Sequence, residues 1–337
     1  MLAVDLPGST FGIRMVAMTK NVTKYLALCY LLTTITGASA LSPHPRLPDP
    51  AAHVIKVGLA LDGSDPASGD AADVAKSCEQ VSFSRNLKYG ESELNVLDVA
   101  TGTAKDTNPR PVLLFVAGES FTGDNGAPDI AGPIEDAAMC FAARNGMVGA
   151  KMTYRLAPAN PWPSGAKDVA AATSWLHQNV DLFGGNAGEI VVVGYSAGAF
   201  HVASLLAHPE LQESDSDIAG VVLVSGIYRA DANPDAAEKA YFGADPGKYD
   251  ERSAFPGILD IEKPMLLSWS VLDPPPLVAQ GESLKARLCN STAHCPHVTV
   301  LRNHDNLASA FTGDDSGEGL AAPTLELVRE IEVRGLP

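Results

Sequence analysis

The sequence predicts an α/β protein: a mostly parallel, doubly wound sheet flanked by helices on both faces. Three observations carry this. Strand-like and helix-like segments alternate from Cys78 onward. Several of the strands are short continuous apolar runs, the pattern of strands buried on both faces. One such run ends in a Gly-x-Ser-x-Gly turn that opens a helix. The chain has 337 residues, 46% hydrophobic and 19% charged, which is a globular composition and not a disordered one. That length allows two domains of about 150 residues or one long α/β unit; no internal repeat and no second domain is visible.

Taken in order, residues 94–99 form a strand candidate and 111–117 (PVLLFVA) a strand buried on both faces. Residues 130–145 read as a helix, 147–154 as a strand, and 165–179 as a helix carrying Trp175 and Leu176 on its inner face. The strand 189–194 (EIVVVG) leads into a helix over 197–207. Strands follow at 219–225 and 264–270 with short helices between them, then a helix over 277–288, a strand over 297–301 and a terminal helix over 323–333. Met139, Met147 and Met152 are core fillers.

The N-terminus reads as a targeting segment. Lys20 and Lys24 precede an apolar stretch from Tyr25 to Gly37, and Ala38-Ser39-Ala40 supplies a small-residue cleavage pattern. The stretch is shorter than the ~20 residues that span a bilayer. Residues 1–40 are therefore expected to be an N-terminal extension and signal peptide, 41–80 a Pro-, Ala- and Gly-rich arm, and 81–337 the folded domain. The expected location is secreted or periplasmic, with no stable membrane span after processing.

Removing residues 1–40 takes away three basic residues and one acidic one, so the net charge moves from −16 to −18. An acidic surface repels phosphate backbones, which argues against a nucleic-acid partner. Four cysteines remain, an even count that favours disulfides in an exported chain. Cys289 and Cys295 bracket a polar turn and are the preferred pair, leaving Cys78 with Cys140; three connectivities stay open. Cys289, His294, Cys295 and His297 match no common zinc spacing, and no metal is expected.

The chemistry centres on Gly194-Tyr195-Ser196-Ala197-Gly198. After a buried strand and before a helix, this turn is tight enough to admit only small residues and pushes the Ser196 hydroxyl outward. The Ala197 N–H, at the helix start, then faces a developing oxyanion. Serine needs a base, and the base an orienting carboxylate. In folds built on this elbow the partners follow in the order Ser, acid, His. That order selects Asp273, just after the strand 264–270, and His304, in the loop after the last strand. As bland alternatives, Asp273 is a turn residue before three prolines and His304 a loop residue with a structural hydrogen bond. Asp168 is expected to orient a loop, and His201, His177 and His208 compete poorly as bases.

Residues 81–337 resemble secreted bacterial carboxylesterases of the α/β-hydrolase fold, in the feruloyl-esterase-like branch near hormone-sensitive-lipase-type enzymes. The stretches that carry the resemblance are Tyr154-Arg155-Leu156-Ala157-Pro158, Phe183-Gly184-Gly185-Asn186, the Ser196 turn, Tyr241-Phe242-Gly243-Ala244-Asp245-Pro246 and Leu272-Asp273-Pro274-Pro275. The resemblance implies ester hydrolysis through an acyl-enzyme on Ser196. It implies an oxyanion hole of Gly118, Glu119 and Ala197 N–H groups, a small-molecule ester substrate and no cofactor; it says nothing of oligomeric state.

Two positions depart from the family pattern. Where the family carries His-Gly-Gly-Gly, this chain has Ala117-Gly118-Glu119-Ser120, which brings a carboxylate toward a developing negative charge. Where the family carries His-Asn-His, it has His304-Asp305-Asn306, so the expected base position is Asn306, which cannot accept the Ser196 proton. His304 lies two residues away, ~7 Å of extended chain. A catalytically degenerate hydrolase that binds a ligand or partner is therefore a competing reading, and an amidase or peptidase on the same scaffold a third.

Overall fold

The computed structural model describes residues 76, 78–103, 108–118, 120–122, 133–214, 217–231, 234–291, 295–302, 311 and 319–335. The expected signal peptide, Glu119, His294, His304 and Asn306 lie outside the described residues. Eight strands form one sheet: β1 (Val81–Lys88), β2 (Val96–Gly102), β3 (Arg110–Val116), β4 (Val148–Met152), β5 (Gly185–Tyr195), β6 (Gly220–Val224), β7 (Met265–Ser270) and β8 (His297–Leu301). Their order is β1-β2-β4-β3-β5-β6-β7-β8. The β1–β2 and β2–β4 pairs are antiparallel, and every pair from β4–β3 through β7–β8 is parallel.

The apolar runs are explained by burial on both sides of the sheet. Along β3, Val112, Leu114 and Val116 face one core while Leu113 and Phe115 face the other. The same alternation recurs with Ile190 and Val192 against Val191 and Val193 on β5, and Val221 and Leu223 against Val222 and Val224 on β6. Helix α1 (Pro133–Arg144), through Ala138 and Phe141, helps cover the second face. So does the C-terminal helix α7 (Ala321–Gly335), through Leu327, Val328 and Ile331. The first face is covered by α2 (Ser164–Asn179) and α3 (Ala197–Ala207). Two short helices follow, α4 (Ala236–Phe242) and α5 (Tyr249–Arg252); α6 (Pro275–Ser291) then packs Leu284 and Leu288 on that first face too. The predicted doubly wound α/β sheet is thus the observed one. Among the described residues, no helix is long and apolar enough to cross a membrane.

β1 is the strand that sequence patterning does not single out. Its exposure alternates imperfectly because the register with β2 shifts between Ser84 and Leu87, and Asn86 has a φ of 58°. This bulge breaks the period of two. β1 is held by charge as well as by the ladder. Arg85 bridges Asp98 of β2 (2.9 Å) and Asp136 of α1 (2.8 Å), and buried Lys151 of β4 reaches the same two carboxylates at 3.6 and 2.9 Å. Asp136 is held below the ordinary carboxylate range by Arg85 and Lys151, against the opposing effect of its burial. Cys78, just before β1, is disulfide-bonded to Cys140 of α1, and Cys289 is bonded to Cys295. Both preferred pairings hold, and the second uses the two cysteines of the zinc-like spacing.

Parallel registration sets up the site. Val116 of β3 lies opposite Gly194 of β5, Tyr195 opposite Val224 of β6, and Val224 opposite Ser268 of β7. The carboxyl ends of four strands therefore reach one edge together, the edge where open α/β sheets place ligands.

The four-charge network yields a test of how the antiparallel edge is secured. Lys151→Met leaves Asp98 buried with one cationic partner, and should cost about 3 kcal/mol in urea unfolding, the low end for breaking a buried pair. Asp98→Asn combined with Lys151→Met should cost less than the sum of the single changes.

Candidate active site

Ser196 stands between β5 and α3 with φ 52° and ψ −116°, a left-handed conformation worth about 1–3 kcal/mol of strain for a non-glycine residue. The surroundings impose it. The Ser196 N–H donates to the Val224 carbonyl at 2.9 Å, and its carbonyl accepts from Phe200 N–H at 3.2 Å. A methyl group on Gly198 would lie 2.2 Å from the Val116 carbonyl oxygen, so α3 can approach β3 only without a side chain there. Ser196 is half-buried, and its Oγ has no hydrogen-bond partner among the described residues.

Gly118 meets the elbow from the other side. A Cβ on it would fall 1.8 Å from the Tyr195 carbonyl oxygen and 2.7 Å from the Ser196 Cβ, so the loop after β3 presses directly on the Ser196 turn. Two contacts fix this loop. The Tyr154 hydroxyl donates to the Ala117 carbonyl at 2.8 Å. Phe121 stacks on Tyr241 with centroids 4.5 Å apart, and meets Phe200 and Phe242 edge-on. Ser120 also has positive φ, at 50°. Gly118 and Ala197 thus both lie against Ser196.

Asp273 lies three residues beyond β7. Its Oδ2 accepts from the Ser225 hydroxyl at 2.7 Å and from the Ser270 N–H at 2.9 Å. Ser225 follows Val224, the residue whose carbonyl holds the Ser196 N–H. Burial first, and then the negative charge of Asp273, raise the Tyr195 phenol above its ordinary range, so the carboxylate acts electrostatically on the residue before Ser196. Ser196, Gly118, Ala197 and Asp273 therefore share one sheet edge.

The described histidines are committed elsewhere. His177 contacts the Asp217 carbonyl, His208 contacts Glu210 and the Ser253 carbonyl, and His297 contacts Glu330. His201 is enclosed by Phe121, Tyr154, Phe200 and Tyr241, with Nδ1 3.2 Å from the Tyr241 hydroxyl and Nε2 unpartnered. Burial lowers its pKa from 6.5 to about 3, so the ring stays neutral. Asp168 has the loop-orienting position expected of it: it grips the Arg155 guanidinium at 2.7 Å and accepts from the Arg155 backbone N–H at 2.8 Å. Ser225 escapes sequence reading; it sits in no motif of its own and gains its meaning from Asp273, 48 residues away. Among the described residues, no group of three or more His, Cys, Asp or Glu side chains could hold a metal ion.

This architecture can be set against known proteins. Residues 130–255 match the family described as alpha/beta hydrolase fold. Esterase B from Lactobacillus rhamnosis superposes with a TM-score of 0.62 at 16% identity, over 79% of this chain and 91% of that one. The chain has the α/β-hydrolase fold. A bacterial heroin esterase shares this hydrolase fold at a TM-score of 0.57 and 22% identity, over 77% of this chain and 87% of that one. In sequence, esterase LipC of Mycobacterium tuberculosis is 35% identical over 153 residues, 43% of this chain and 36% of that protein. The carboxylic ester hydrolase LipM of the same organism, so named as probable, is 30% identical over 42% of this chain and 34% of its own length. The chain spans about a third of the length of these relatives.

Buried His201 gives this hydrolase fold an acid-sensitive component. The unfolded imidazole takes a proton near pH 6.5 and the folded one only near 3. The unfolded state therefore binds the extra proton between these values, and stability falls as pH drops through that window. For this group the slope approaches about 1.4 kcal/mol per pH unit. His201→Gln should flatten the decline in unfolding free energy between pH 6.5 and 4; an unchanged slope would contradict the assignment.

Proposed function

We propose that this chain is a serine hydrolase that cleaves carboxylic esters of small molecules, acting outside the cytoplasm. The observation that carries the reading is the strained Ser196 elbow, with the Gly118 loop against it and the Asp273 carboxylate joined to the same strand end. The esterase names of the relatives and of the superposing structures support the substrate class. Two disulfides and the leader-like N-terminus support export.

In this mechanism His304, oriented by Asp273, takes the Ser196 proton as Oγ attacks the acyl carbon. N–H groups of Gly118, Glu119 and Ala197 hold the resulting oxyanion, and the alcohol leaves with the proton from the base. Water then attacks the acyl-enzyme by the same route and releases the acid. No cofactor enters. The Tyr154 hydroxyl on the Ala117 carbonyl matters here: in a trans peptide the C=O and N–H point opposite ways, so pinning one aims the Gly118 N–H. A second reading, a binding protein on a disabled hydrolase scaffold, is favoured by Asn306 at the family's histidine position.

The two readings part on reactivity. A fluorophosphonate probe should label the wild-type protein, and Ser196→Ala should abolish labelling and lower nitrophenyl-ester hydrolysis by about 10⁴-fold or more. His304→Ala should do the same. Absence of both labelling and hydrolysis in the wild type would overturn the enzyme reading. A gain of about 100-fold or more on Asn306→His would identify the natural chain as disabled at its base.

A further inference from the structure

Ser225 is an anomaly at the end of β6. It is a buried serine with φ 49°, in the left-handed region that glycine occupies freely, although a glycine, Gly226, follows it. Its N–H donates to the Ser268 carbonyl at 2.8 Å, so the β6–β7 ladder runs on through this residue. Its hydroxyl donates to Asp273 Oδ2 at 2.7 Å. The Ser270 N–H occupies the same oxygen at 2.9 Å, so the described donors converge on Oδ2 and leave Oδ1 open. One residue earlier, the Val224 carbonyl holds the Ser196 N–H. Two successive residues of one strand end thus hold the nucleophile by its backbone and the acid by its carboxylate.

We propose that Ser225 is a positioning residue for the acid: its hydroxyl and the Ser270 N–H lock the Asp273 carboxylate through Oδ2, and so direct Oδ1 at the base. The left-handed backbone turns Oγ toward Asp273, which explains a serine where glycine would be free of strain. The energetic logic is that of a support shell, in which a carboxylate fixed by two donors has one orientation left to offer. The proposal deepens the ester-hydrolase reading and rests on it.

Two substitutions separate positioning from simple support of the fold. Ser225→Ala deletes the hydroxyl and keeps the backbone strain, whereas Ser225→Gly deletes the hydroxyl and relieves the strain. Both should lower kcat for a nitrophenyl ester by about 10- to 100-fold with KM within about twofold, while Ser225→Gly unfolds at or above the temperature of Ser225→Ala. In an Asp273→Ala background, adding Ser225→Gly should lower the rate no further. Independently of activity, exchange of the Ser270 amide should speed up about tenfold in Ser225→Gly, because its acceptor is no longer held. Unchanged kcat, a full additional loss in the Asp273→Ala background, or unchanged Ser270 exchange would each overturn the proposal. A wild-type protein that neither hydrolyses ester nor takes the fluorophosphonate sinks the ester-hydrolase reading instead, and the Ser270 exchange then still decides whether Ser225 holds Asp273.

Discussion

Between the Val116 carbonyl and the α-carbon of Gly198 there is no room for a methyl group, and between Gly118 and the Tyr195 carbonyl there is less still. This three-way contact of the end of β3, the end of β5 and the start of α3 is the constraint on which the site depends. It forces Ser196 into a left-handed conformation that no serine adopts freely, and it brings the N–H-rich start of α3 and the loop after β3 to the same side chain. Strain of this kind persists only where packing over-determines it. Here the packing is the apolar sheet itself, whose central strands are buried on both faces.

Around that contact the loops are tied down by clamps of different kinds. The Arg155–Asp168 pair is charge-assisted and nearly closed to solvent on the carboxylate side, and Asp168 also takes a backbone N–H, so it fixes the chain between β4 and α2. The Phe121 cluster clamps the loop after β3 with aromatic area instead of charge. His201 belongs to this cluster and is kept neutral by burial, so it serves as an aromatic wall and not as a proton carrier. Asp273 is held by neutral donors instead of a cation, the Ser225 hydroxyl and the Ser270 amide.

How much of this is legible beforehand depends on the range of the interactions. The helix over 197–207 is readable to the residue because the turn before it and the apolar content within it are local. The strand expected over 189–194 begins at Gly185 because Gly185 pairs with Arg110, a partner 75 residues earlier. β1 stays hidden because a bulge shifts its alternation. Asp273 is recognisable from its place after a buried strand; Ser225, which holds it, has no local signature, since its backbone angle and its acceptor are both set by β7.

The sequence alone determined the layered α/β class, the succession of strands and helices after β1, and the turn that carries Ser196, because apolar periodicity and glycine spacing are written along the chain. Only the tertiary structure decided which strand ends stand side by side, that Gly118 bears on Ser196, and that one strand end holds both Ser196 and Asp273. Those facts arise from hydrogen-bond register between strands far apart in sequence, and register is a property of the assembled sheet.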